Sequence, residues 1–213
     1  MITFDRLFAV ARKPWVVLCF LGLLIFSMFY LDKPVAYYFH SVEFMQSLYW
    51  IRWLTRLGWV TMYLVIFLVL GLFFRYVYRN KTYEDRSWFL WFCIFIPNII
   101  CVVLKIILGR ARPDQFFKYK LYGFYGYHTN TVYWSFPSGH TTTIMGLMFG
   151  LSILFPKHWF YWILTGLLVV FSRILLTYHY LSDVMAGTYL TLIEVGIILY
   201  VVRRKRLLRG CQL

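Results

Sequence analysis

Acidic side chains are scarce in this chain: 8 Asp and Glu stand against 22 Lys and Arg in 213 residues. No carboxylate or histidine cluster of the kind that would hold a metal ion is present, so neither a metal nor another cofactor is expected. Cysteine is equally sparse. Cys19, Cys93, Cys101 and Cys211 have neither metal-ligand nor CxxC spacing, and are expected to be packing residues without a structural disulfide. No polar or Pro/Gly/Ser-rich linker interrupts the chain and no fixed period repeats, which leaves residues 1–213 as one domain. Charged residues make up only 14% of the total, well under a soluble domain's share, which excludes an ordinary soluble fold.

What fills the chain instead is apolar: 62% of residues are hydrophobic and 23% aromatic. Runs long enough to cross a bilayer recur over residues 15–31, 59–78, 88–108, 138–155, 159–177 and 184–202. The expected fold is therefore all-α, a polytopic membrane protein with six transmembrane helices in one bundle. The N-terminal basic residues and first apolar run resemble a signal peptide but lack a small-residue cleavage site, so an uncleaved first span is expected. Residues 34–58, where aromatic side chains mix with Glu43, Arg52 and Arg56, read as an amphipathic helix lying in the headgroup layer. Pro97 should kink the third span, with Asn98 donating to backbone groups that the kink frees. Residues 109–136 form the one long connection, and its rings and lysines (Lys118, Lys120) suit a floor that touches lipid and phosphate.

The net charge of +14 would point to nucleic acid in a soluble protein, but here the basic residues cluster at span ends, so no nucleic-acid partner is expected. On alternate sides of the six spans, the excess of Lys and Arg puts both termini in the cytoplasm. Three polar stretches then share the opposite, periplasmic or lumenal, face: Lys105 to Pro113, Pro137 to His140, and Ser172 to Asp183.

Those stretches carry chemistry suited to a phosphate. Ser138 is a good helix N-cap and Gly139 admits a ligand to backbone N–H groups, which together make an anion site. His140 sits near membrane depth, where an ionisable group is costly without a purpose. His179 and Asp183 are four apart, so on a helical turn the carboxylate would fix one ring nitrogen and leave the other as a nucleophile; the plainer reading is that Asp183 or Ser182 only caps the sixth span. Lys105, Arg112 and Arg173 add positive charge to these stretches, for which an anionic substrate is the fitting partner. Glu194, mid-span, is expected to make an interhelical hydrogen bond.

The set Lys105-x6-Arg112-Pro113, Pro137-Ser138-Gly139-His140 and Ser172-Arg173-x5-His179-x3-Asp183 resembles the complete three-part signature of the type-2 phosphatidic acid phosphatase and vanadium haloperoxidase superfamily. The resemblance implies that His179 forms a phosphohistidine, that Asp183 orients it, and that His140 protonates the leaving oxygen. It further implies that Lys105, Arg112 and Arg173, with the backbone at Ser138 and Gly139, hold the nonbridging oxygens without a metal. The compact membrane members it is similar to act on undecaprenyl pyrophosphate, phosphatidylglycerophosphate, phosphatidate or lipid A 1-phosphate. An anionic lipid phosphate is thus the expected partner, and a bacterial inner membrane the expected location. Arg110 and the aromatic loop are where selection among those lipids is expected. A lipid phosphotransferase using the same phosphohistidine, and a non-enzymatic anion-binding membrane protein, are the alternatives.

Overall fold

The structure, a computed structural model, describes residues 4–42 and 49–208; Glu43, Phe44, Arg209 and Cys211 lie outside the described residues. Helix α1 (Phe4–Ala11) leads into α2 (Pro14–Phe26), a π-helical turn (Ser27–Leu31) and α3 (Asp32–Ser41). The last three run together as one 28-residue helix, Pro14–Ser41. Then follow α4 (Tyr49–Arg56), α5 (Val60–Tyr76), α6 (Lys81–Leu108), α7 (Pro113–Tyr119), α8 (Gly139–Leu154), α9 (Trp159–Leu175) and α10 (Leu181–Arg204). Among the described residues there is no strand, only isolated bridges from Arg110 to Phe124 and Trp134.

Among the described residues four helices are long and apolar enough to cross a membrane: Pro14–Ser41, Lys81–Leu108, Pro156–Leu175 and Leu181–Arg204. The pair α4 and α5, bent by 43°, makes a fifth if it counts as one span. At 1.5 Å per residue α8 is about 24 Å long, short of the ~30 Å hydrocarbon layer. It is also the most enclosed helix, buried continuously from Thr141 to Gly150 and packed by α6, α9 and α10. Close approach is built in at Gly146, where an added Cβ would strike the Cys93 carbonyl of α6. Phe89, Cys93, Ile94, Ile144, Met145, Val169 and Val195 fill the core around this contact. Lipid replaces water outside, which is why Leu18, Val69, Val103 and Leu168 remain exposed.

The segment 34–58 divides differently from a single interfacial helix. Residues up to Ser41 prolong the first long helix, and among the described residues Tyr49–Arg56 stands apart as α4, burying Ile51 and Thr55 while Tyr49, Trp50 and Trp53 face outward. The Asp32-Lys33-Pro34 sequence does not end the first helix because the Asp32 carboxylate is buried and paired, as described below. Helix α6 starts earlier than its apolar run, at Lys81, since Asn80 caps it by accepting from the Tyr83 N–H at 3.2 Å. Beside Pro97, Asn98 donates to the Ile94 carbonyl at 2.8 Å and accepts from Thr143 Oγ1 at 3.1 Å. Cys93 and Cys101 are buried and Cys19 exposed, with no disulfide among the three.

The two ends of the bundle differ in charge chemistry. Asp183 begins α10 and Arg203 lies near its far end, about 30 Å away along the axis. At that far end Arg203 pairs with Asp5 of α1 at 2.5 Å, and Lys81 pairs with Asp85 at 2.9 Å and Glu84 at 3.4 Å. Glu194 does not make the expected interhelical bond through Oε2, which is buried with no hydrogen-bond partner. It borders a cavity of about 600 Å³ that α6 lines with Phe92, Ile96 and Ile100 and, at its start, with Lys81 and Asp85.

Candidate active site

All eight residues singled out in the sequence fall at or beside one end of the bundle: the end of α6 (Lys105), the following connection (Arg112), the start of α8 (Ser138, Gly139, His140), the end of α9 (Arg173), the α9–α10 turn (His179) and the start of α10 (Asp183). His179 Nδ1 lies 3.5 Å from Asp183 Oδ2. The pair is not formed on a helical turn, since α10 begins only at Leu181. Asp183 instead reaches back as an N-terminal cap, its Oδ2 accepting from the Tyr180 N–H at 2.9 Å and from Ser135 Oγ at 2.6 Å. Capping and orienting His179 are therefore one arrangement. At 3.5 Å the contact is long for a hydrogen bond; catalytic contacts of this kind commonly tighten when substrate enters.

Burial holds the His179 imidazole well below its ordinary basic range; the nearby Asp183 carboxylate opposes this, while Arg112, Arg173 and Lys105 reinforce it. The ring is thus neutral near pH 7, with Nδ1 toward Asp183. The same three cations also act on His140. They are held by backbone and hydroxyl oxygens, not by carboxylates: Lys105 Nζ donates to Trp134 O at 2.7 Å, Arg112 Nε to Thr131 O at 3.1 Å, and Arg173 to Thr55 Oγ1 at 2.7 Å. Their charge therefore stays available to an anion.

Ser138 occupies the N-cap position of α8, but its side chain makes no cap bond. Its backbone N–H donates to Asp183 O at 3.2 Å, which ties the α8 start to the α10 start. Ser138 Oγ and Arg173 Nε are both buried without a hydrogen-bond partner. Two orphaned donors beside an uncapped helix start fit a ligand rich in acceptor oxygens.

Arg110 is placed differently from the sequence expectation. It does not face a substrate: it is 1% exposed and bridges two buried carboxylates, Asp183 through one guanidinium nitrogen and Asp32 through the other, the latter at 2.6 Å. Burial works against its charge, but Asp183 and Asp32 outweigh burial and raise its basicity. Asp32 also accepts from the Ser182 N–H at 2.9 Å, from Ser182 Oγ, and from Ser27 Oγ at 3.2 Å. The π turn makes that last bond possible by aligning residues five apart. Tyr122 Oη sits between Met28 O and Asp32, and burial with the Asp32 charge pushes this phenol up to about 12, so it remains a donor.

The long connection is compact. Gly109 ends α6 in the left-handed region (φ 54°), and pairs from Tyr125 N to Gly109 O (2.9 Å), Arg112 N to Val132 O (3.1 Å) and Ser135 N to Arg110 O (3.0 Å) fold it back on itself. A Cβ at Gly109 would run into the Gly126 carbonyl. Gly109→Ala is accordingly expected to lower stability by at least the ~1–3 kcal/mol of a strained backbone, seen as a reduced thermal unfolding midpoint in detergent. The loop lysines do not line the site: Lys118 pairs with Asp114 at 3.1 Å, and Lys120 lies over the Tyr37 and Phe116 rings.

Sequence reasoning missed Asp32, Ser135 and Thr55, whose roles come from contacts across long stretches of chain. It also missed that Arg52 and Arg56 border the same cavity as His140 and Arg173. The only early signal for Asp32 was a carboxylate at the end of an apolar run.

Residues 86–207, more than half the chain, match the family model described as PAP2 superfamily. A protein of Rhizobium johnstonii named lipid A 1-phosphatase is 34% identical over 104 residues, 47% of this chain and 43% of that protein. A second of the same name, from Rhizobium etli, is 33% identical over 104 residues, 47% of this chain and 45% of that protein. The match thus spans less than half the length of these curated relatives. No solved structure matches the chain.

Proposed function

We propose that this chain, which belongs to the PAP2 superfamily, is a membrane lipid phosphatase that works through a phosphohistidine on His179. The observation that carries the reading is a neutral imidazole set against Asp183 among three cations that have no carboxylate partners of their own among the described residues. In the first step His179 Nε2 attacks phosphorus, the bond from phosphorus to the leaving oxygen breaks, and His140 gives that oxygen a proton. Lys105, Arg112, Arg173 and the α8 N-terminus take up charge on the nonbridging oxygens. Water, activated by His140, then cleaves the N–P bond and releases inorganic phosphate.

The same reading makes α8 and the bent α4–α5 pair spans as well, for six in all. It sets both termini in the cytoplasm of a bacterial inner membrane and the site at the outer leaflet. The paired charges at the far end of α10 and the open cations at the near end support this orientation. For the substrate, the names of the two relatives favour the 1-phosphate of lipid A over the other lipid phosphates.

Phosphate release from a panel of lipid A 1-phosphate, phosphatidate, phosphatidylglycerophosphate and undecaprenyl pyrophosphate, in detergent with excess chelator, tests the proposal. Chelator is expected to change the rate by less than about twofold, and orthovanadate, which mimics the five-coordinate phosphorus, to inhibit fully. A chelator-sensitive rate, or release from none of the four lipids, would remove this function.

A further inference from the structure

The end of the bundle away from the candidate active site also carries a shaped pocket. Helix α1 is pinned there across the last turns of α10: a Cβ at Gly196 would sit 2.1 Å from the Phe8 ring, and Tyr189 Oη donates to Ala11 O at 2.6 Å. Beside this contact lies a cavity of about 290 Å³ lined by Phe8, Ile193 and Ile197, with Arg12 and Tyr200 as its polar members. Ile193, Ile197 and Tyr200 follow one another at helical spacing, so this face of α10 passes from aliphatic to phenolic over about 10 Å.

The charges at this end are unevenly matched. Asp5 is gripped by both terminal nitrogens of Arg203, at 2.5 and 3.3 Å, and Glu84 and Asp85 are held by Lys81. Arg12 and Arg204 pair with no carboxylate among the described residues. Arg12 lies instead over the Phe8 ring at 5.6 Å, and Arg204 donates to Tyr200 Oη at 3.2 Å. That bond uses the phenol as an acceptor and leaves its own proton to donate. We propose that this cavity binds an anionic glycerophospholipid of the leaflet opposite the candidate active site, its phosphate held by Arg12, Arg204 and Tyr200 and one acyl chain laid along Ile193 and Ile197. A planar guanidinium takes phosphate oxygens two at a time, and a phenol is at home at headgroup depth. What separates these arginines from an ordinary basic span end is the apolar wall in line with the charge, which asks for a tail as well as a phosphate. The bound lipid joins α1 to α10, the helix that carries Asp183 at its other end. The site is independent of the phosphatase reading, since none of its residues takes part in the proposed reaction.

Dioleoyl phosphatidylglycerol and dioleoyl phosphatidylcholine are titrated into the full chain in neutral detergent, and bound lipids are counted by native mass spectrometry. One phosphatidylglycerol per chain should bind about 10–30-fold more tightly than phosphatidylcholine, the worth of two cations near a headgroup. The R12Q/R204Q variant should bring that preference to within about threefold. Both side chains are exposed, so its unfolding midpoint without lipid should not move. R173Q, at the opposite end, should keep the preference, and glycerophosphoglycerol, the headgroup without chains, should not displace the lipid. Loss of the preference in R173Q, or its survival in R12Q/R204Q, would place the lipid elsewhere and overturn the proposal. Equal binding of the two lipids, or displacement by the headgroup alone, would overturn it by reducing this end to a basic surface. A second arm uses the unaltered chain: phosphatidylglycerol with a photoreactive group in its acyl chain should label α1 or the second half of α10. Labelling that spares both removes the site.

Discussion

Phosphate release should fall by about ten-thousand-fold or more in His179→Ala, since the proposed phosphohistidine cannot form without that imidazole. The substitution removes a buried ring, but its neighbours Asp183, Arg110 and Ser135 remain mutually paired, so the protein should still fold. His140→Ala should behave differently. Its proton matters in proportion to how poorly the leaving group departs, so a lipid alkoxide should lose about 10²–10⁴-fold. An activated aryl phosphate, whose leaving group needs no proton, should lose far less in His140→Ala but as much as a lipid in His179→Ala. Steady-state rates on the two substrate types check the assignment. Residual turnover of the aryl phosphate in His179→Ala, close to that of the unmodified chain, would mean that His179 is not the nucleophile.

The parts of this protein that sequence displays are those whose signal is local. Apolar runs locate the long helices but not all their ends, because lipid imposes length and hydrophobicity only on the stretch within it: the first helix runs on to Ser41 and α6 starts as early as Lys81. Lys105, His140, Arg173, His179 and Asp183 stand out because each is an ionisable residue in or beside such a run. What sequence hides is the pairing of groups far apart in the chain. Asp32 and Arg110 are 78 residues apart, and nothing in either neighbourhood says that one neutralises the other. Hence Arg110, beside two motif residues, reads as a substrate contact, and Asp32-Lys33-Pro34 reads as the end of a helix. The fold of residues 109–136 is hidden for the same reason, being set by backbone bonds from Ala111 to Gly123 and from Arg112 to Val132 and not by any periodic pattern.

That hidden pairing predicts the largest effect on stability. Asp32, Arg110 and Asp183 form a buried triad with one positive charge between two negative ones. Replacing the cation by an apolar residue, Arg110→Met, strands two carboxylates at 0% exposure and should cost at least the ~3–5 kcal/mol of a broken buried pair. Replacing one carboxylate, Asp32→Asn, leaves the Arg110–Asp183 pair neutral and keeps an oxygen for the Ser182 N–H, so its cost should be nearer ~1–3 kcal/mol. Activity should follow the same order, because in the proposed mechanism Asp183 orients the His179 ring: Arg110→Met should lose most of kcat, whereas Asp32→Asn should keep a measurable fraction. Unfolding midpoints in detergent, read beside kcat and KM, separate the two variants. Equal destabilisation by both, or an Arg110→Met protein with unchanged kcat, would show that Asp183 keeps its position without the guanidinium, and that the first helix reaches the site only as packing.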